Sequence, residues 1–214
     1  MSQASALTSL HIDLYRYWQG RRRDGLLPGR ADINPAEIVP LLPHLSLVDI
    51  VGGRFRYRLA GTRVVEDTGR ELTGAYIGAS VQPPEYAAAI CAVYEHARTR
   101  AVPIFAQGGY RTPAGAVHSV SRLLLPLAAD GVNVDMMIVS RVAHYPDPSA
   151  VGIDWLGAAD GTVEGFVEIG SEAEAAERAA AWEARCIVLR ERSRLLTASP
   201  ADQRFRQALL DPES

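Results

Sequence analysis

The chain has 214 residues, 48% of them hydrophobic, with 22 Lys and Arg against 25 Asp and Glu, a formal net charge of −3. That balance gives no electrostatic case for a nucleic-acid or membrane-surface partner, and the run Arg21 to Arg23 suits the cation-favouring end of a helix better than a binding patch. Cys91 and Cys186 are the only cysteines, far apart and without CxxC spacing, which excludes a disulfide framework and a zinc motif and fits a reducing compartment. No apolar run approaches the ~18 residues of a membrane span, so the expected location is the cytoplasm.

In chain order, Leu7, Leu10, Leu14 and Trp18 recur at helical spacing and predict a helix from Leu7 to about Arg23, ended by Gly25 and Pro28. Pro35 and Glu37 start a short helix behind Asp32 or Asn34, and Pro40 and Pro43 keep it short. The period then changes to two. Leu45 to Val51 and Arg54 to Ala60 predict strands joined at Gly52-Gly53, with Phe55, Tyr57 and Leu59 on one face of the second and Arg54, Arg56 and Arg58 on the other. Small helical turns punctuated by Gly61, Gly69 and Gly74 follow, then a helix over Pro84 to Arg100. Three strands are predicted next, Val102 to Arg111, Ala116 to Leu127 and Val132 to Val142, the last pair turning at Asp130-Gly131. Past Tyr145 the Gly-, Pro- and Asp-rich stretch reads as a connector. Ser171 to Glu174 forms a capping box ahead of a long helix reaching about Leu196, with a weak a/d-like seam through Trp182, Leu189 and Leu196.

These residues resemble a PAS domain. The order β-β, small helices, long helix, β-β-β over residues 45 to 143 is similar, and motifs of one branch of small bacterial PAS proteins, frequent in alphaproteobacteria, are present. They are Tyr17-Trp18, the PxRADIxP stretch (Pro28, Arg30, Ala31, Asp32, Ile33, Pro35), Leu41-Leu42-Pro43, YRLxGT (Tyr57, Arg58, Leu59, Gly61, Thr62), Gly69, Leu72-Thr73-Gly74 and Leu124 to Leu127. The resemblance covers roughly residues 7 to 145. It implies an α+β fold with a five-stranded antiparallel sheet, helices on one face, an N-terminal helix and a long C-terminal helix. The division expected is 1–44 N-terminal helical extension, 45–145 core, 146–170 connector and 171–214 C-terminal helix and tail.

A PAS fold names no ligand, so function is argued from side chains. Flavin-photosensor members carry a reactive cysteine in the small helices, and Thr62 to Gly78 holds none. Haem-binding members often place an axial His on the long helix, but His96 falls at its edge beside Arg98 and Arg100. Both points argue against flavin and haem, and the cofactor stays unknown. His118 and Arg122 share one strand face, and with Tyr57, Tyr86, Tyr94 and Tyr110 they are the candidate residues for a small anionic or polar ligand. Alternation alone does not say which face is inward. The plainer reading, favoured at this point, puts that polar face in solvent or under the N-terminal helix. Arg30, Asp32 and Arg58 read as an ion pair or cap, and Glu66, Asp67 and Glu71 as exposed carboxylates between helices. No GxSxG, HExxH, nucleotide loop, kinase phosphoacceptor box or cyclase motif is present, so no catalytic or metal-binding residues are assigned and no enzyme is expected. The resulting expectation is a stand-alone sensory or regulatory PAS protein that binds a small molecule and signals by protein contacts. Homodimerisation or partner binding would run through the Leu7–Trp18 helix and the Trp182 seam. The rivals are a ligand-free dimerisation module and a small-molecule enzyme using the cavity.

Overall fold

The computed structural model describes residues 3–79, 84–111, 117–144 and 160–197. It opens with α1 (Gln3–Arg21), followed by short 3-10 turns at Arg30–Asp32, Pro35–Glu37 and Val39–His44. Strands β1 (Leu45–Val51) and β2 (Arg54–Ala60) form a hairpin, and the short α2 (Thr62–Thr68) and long α3 (Pro84–Arg100) follow. Next come β3 (Ile104–Arg111), β4 (Val117–Leu127), β5 (Met136–His144), β6 (Asp160–Glu168) and α4 (Glu172–Thr197). The sheet is antiparallel with strand order β2-β1-β5-β4-β3-β6.

Three features depart from the sequence reading. The sheet has six strands rather than five, because β6 rises out of the stretch read as connector. Gly161 and Gly165 disguise it. Opposite Gly165 the β3–β6 register slips at Gln107/Gly108, a bulge that glycine accommodates. Second, helices cover both faces of the sheet. β5 is buried along almost its whole length, and Leu123, Leu124 and Leu125 in β4 are all buried. Such runs are the mark of a strand with two covered faces.

The inner face packs under α3, where Tyr86, Ile90, Val93 and Tyr94 meet Val120, Leu124, Met137 and Val139. The outer face carries α1 and α4, where Leu14, Trp18 and Trp182 meet Phe105, Leu123, Leu125 and Ile138. The apolar faces of the terminal helices expected to be exposed are therefore occupied by the chain's own sheet at Leu14, Trp18, Trp182 and Cys186; side chains at 187–197 lie outside the described residues.

Third, β1 and β2 slip register between Leu47 and Val48, so Leu47 pairs with Leu59 while Val48 pairs with Tyr57. The extra residue, Arg58, inverts the alternation. Leu59 thus leaves the face of Phe55 and Tyr57 and joins Leu47 on the outer side. Gly61 ends β2 against the 3-10 turns. A Cβ there would lie 2.3 Å from the Leu42 carbonyl oxygen, so only glycine permits this approach. Gly69 ends α2 in the left-handed conformation, φ 72°. Ser171 Oγ accepts from the Glu174 N–H at 3.2 Å, while the Glu174 carboxylate accepts from the Gly170 N–H at 2.7 Å, so the cap forms one residue wider than the expected box.

Candidate functional site

Arg122 of β4 and Arg141 of β5 are paired across the two central strands. Each alternates with inner-face residues, Arg122 with Val120 and Leu124, Arg141 with Val139. Both are buried, 9% and 7% exposed, which for two guanidiniums side by side calls for anionic or hydrogen-bonding company. Part of it comes from α2. Asp67, 2% exposed, accepts from Arg141 Nη1 at 3.2 Å and lies 3.1 Å from Arg63 Nε. Asp67 was expected to be a solvated carboxylate, and α2 instead turns it inward while Glu66 and Glu71 stay exposed. Burial raises its pKa despite the opposing pull of Arg141 and Arg63. His44, at the end of the last 3-10 turn, faces the same cluster; burial lowers its pKa, and the Asp67 charge works against that shift.

Tyr94 projects from α3 onto this face, its ring 5.4 Å from that of Phe55. Burial, with Tyr57 second, pushes its phenol well above the ordinary value, and both Arg122 and Arg141 act on it in the opposite sense. It remains a neutral donor and acceptor. Of the predicted residues, the structure therefore brings together Tyr57, Tyr94 and Arg122, with Tyr86 buried in the same core cluster. Tyr110 and His118 are cross-strand neighbours between β3 and β4, and their side chains lie outside the described residues. The reading that put Arg122 in solvent or under the N-terminal helix is reversed, since the residues under that helix are the serines of the opposite face. Sequence reasoning missed Arg141 and Asp67. The visible signal for Arg141 was an arginine inside the otherwise apolar run Met136 to Ala143, broken only by Ser140.

The outer face of the same two strands grips α1. His11 is buried between Ser140 Oγ, 2.7 Å from Nδ1, and Ser121 Oγ, 2.8 Å from Nε2, with Phe105 edge-on to its ring. Burial, with a smaller contribution from His44, lowers its pKa to about 3, so the ring is neutral. Trp18 donates to the Pro126 carbonyl and Trp182 of α4 to Ser119 Oγ, each at 2.9 Å. Ser121 and Ser140 immediately precede Arg122 and Arg141, so each central strand holds a buried arginine on one face and a helix anchor on the other.

His96 lies at the sheet edge, over β6, with its ring 5.0 Å from that of Phe166. It lies 2.9 Å from Glu168 at the end of β6, which Arg100 also approaches at 3.1 Å. Of the ion pair or cap expected from Arg30, Asp32 and Arg58, a cap forms at Asp32, while among the described residues Asp32 makes no ion pair with either arginine. Asp32 caps the Gly29 N–H, Arg30 donates to the Ile33 carbonyl, and Arg58 faces Asp49 at 3.7 Å. Among the described residues, no group of three or more His, Cys, Asp and Glu side chains could hold a metal ion, and no helix is long and apolar enough to cross a membrane.

A family model described as "PAS domain" matches residues 7–138. Among solved structures, that of the Rhodobacter sphaeroides LOV protein is similar, at 13% identity over 69% of this chain and 88% of that one, with a TM-score of 0.42. No curated protein matches.

Proposed function

The chain belongs to the PAS domain family, and from that premise we propose that it is a non-enzymatic sensory protein of the cytoplasm. It binds a small anionic molecule on the inner sheet face and reports occupancy through its terminal helices to a second copy or another protein. One observation carries the reading: Arg122 and Arg141, buried and adjacent, back directly onto Ser121 and Ser140, which hold His11 of α1. Two buried guanidiniums that both act on the Tyr94 phenol are groups of the kind that recognise a carboxylate or phosphate, which would exchange for their present partners. A ligand that draws them together displaces the backbone of β4 and β5, and that displacement reaches the helix anchor one residue away. Such a ligand shifts the docked and undocked populations of α1 only as far as its affinity for the two differs.

Native mass spectrometry of the full-length protein, set against its denatured mass, tests this in wild type and Arg122→Gln. The expected result is an acidic small molecule retained by the wild type and lost from the variant, with amide exchange in residues 9–21 altered by its presence. Bare chains in both proteins, with α1 exchange indifferent to a panel of phosphorylated and carboxylate metabolites, would refute the reading. The same spectra give the stoichiometry on which the homodimer part stands.

A further inference from the structure

A recess lies on the outer side of the sheet, away from Arg122 and Arg141. The 3-10 turns arch over the ends of β1 and β2 and leave a groove of about 460 Å³, within the range of small-molecule sites. Leu45, Leu47 and Ile138 line it from the sheet, and Ile38, Leu42 and Pro43 from the arch. Its polar side chains are those of Arg30 and Thr62. Three separated motifs of the sequence converge here: Arg30, Ile33 and Pro35 from PxRADIxP, Leu42-Pro43, and Gly61-Thr62. Two local devices shape the recess. The missing side chain of Gly61 lets the arch close on β2, and the bulge at Arg58 brings Leu59 round to the groove side. Leu59 and Val39 then stand 47% and 58% exposed beside it, apolar surface that folding of this chain leaves in water.

We propose that this groove binds a small amphiphile with an apolar body and a single anionic head, the head at Arg30. The lining is hydrocarbon apart from that guanidinium and the Thr62 hydroxyl. Arg30 is oriented by its bond to the Ile33 carbonyl at 3.0 Å, and among the described residues it has no carboxylate partner. Charge complementarity selects an anion over a cation, and volume selects one small molecule. A protein interface of ordinary size covers about 800 Å² per partner, far more than this recess supplies. The site stands independently of the one on the inner face.

Isothermal titration of the full-length protein with dodecanoate, dodecanol and dodecyltrimethylammonium, each below its micelle concentration, tests the proposal. Dodecanoate is expected to saturate at one per chain, with the alcohol and the cation at least tenfold weaker. Arg30→Gln should weaken dodecanoate by roughly ten- to a hundredfold, the loss of a charge-assisted bond, and leave dodecanol unaffected. Leu59→Trp, at an already exposed position, should fill the groove and abolish binding of both without lowering the melting temperature. No saturable binding, or equal affinity for the carboxylate and the ammonium, would overturn the proposal. So would loss of binding in Arg122→Gln while Leu59→Trp still binds, which would place the amphiphile on the inner face. Self-association abolished by Leu59→Trp in a protein that binds none of the three would assign the groove to a second copy and overturn it equally.

Discussion

His11 anchors α1 through two hydroxyls, and its neutral ring makes that anchor sensitive to acid. In the folded chain its pKa is about 3 against the ordinary 6.5, so below pH 6.5 the unfolded state binds the extra proton and stability falls with pH. A group of this kind costs about 1.4 kcal/mol per pH unit across the window between the two values. His44, also lowered, adds in the same direction, while Asp67, raised by burial, works in the opposite sense at more acid pH. We predict that His11→Gln loses about 1–2 kcal/mol at pH 7, from poorer bonding to the two serines. Between pH 6.5 and 5 the variant should lose up to ~2 kcal/mol less than the wild type, because nothing at that position titrates. Urea denaturation at the two pH values measures both. Parallel pH profiles would mean that His11 is not the group responsible. Nothing in the sequence marks this residue, because it sits where a helix stripe would allow either a solvated or a buried side chain.

Among the elements, the junctions decide more than the strands and helices do. Gly61 has an ordinary φ of −67°, so the Gly61→Ala substitution strains no backbone, yet its Cβ would meet the Leu42 and Pro43 carbonyl oxygens at 2.3 and 2.4 Å. The expected cost is about 1–3 kcal/mol, as for overpacking elsewhere, with the arch displaced from β2. A melting temperature equal to wild type would contradict the close approach. At the other end of the molecule, Trp182 is the large side chain of α4 in the outer cluster and donates to Ser119. Trp182→Ala should cost about 3–5 kcal/mol and release α4, seen as faster amide exchange over 172–186. Unchanged exchange there would show that α4 is held by other contacts. The hairpin at Gly52-Gly53 and the cap at Ser171 were legible because turn chemistry is local. The bulge at Arg58 was not, because a one-residue slip leaves the alternating pattern of the sequence intact while reversing where its last residues point.

For the whole molecule, the sheet is the shared wall of two cores, and α1 and α4 belong to the outer one together with β3, β4 and β5. A chain built this way should unfold as one unit. Tryptophan fluorescence of a Trp155→Phe variant, which then reports Trp18 and Trp182 on the outer face, and far-ultraviolet dichroism, which reports the sheet and helices together, should give coincident urea transitions. An earlier fluorescence transition would mean that the terminal helices detach from an intact sheet. Such separability would also place the docked and undocked states within reach of a ligand's binding energy.

The amino-acid order alone determined the element sequence as far as β5 and the family, and it named Tyr57, Tyr86, Tyr94, Tyr110, His118 and Arg122 as candidates without giving their face, because periodicity, turn dipeptides and short motifs are local properties of a chain. Only the tertiary structure decided which face of β4 looks inward, that Arg141 and Asp67 join Arg122, that a sixth strand extends the sheet and that the terminal helices close its outer face. Each of these depends on pairing across dozens of residues. A strand apolar on both sides carries no mark of which side will meet which helix until the register of its neighbours is set.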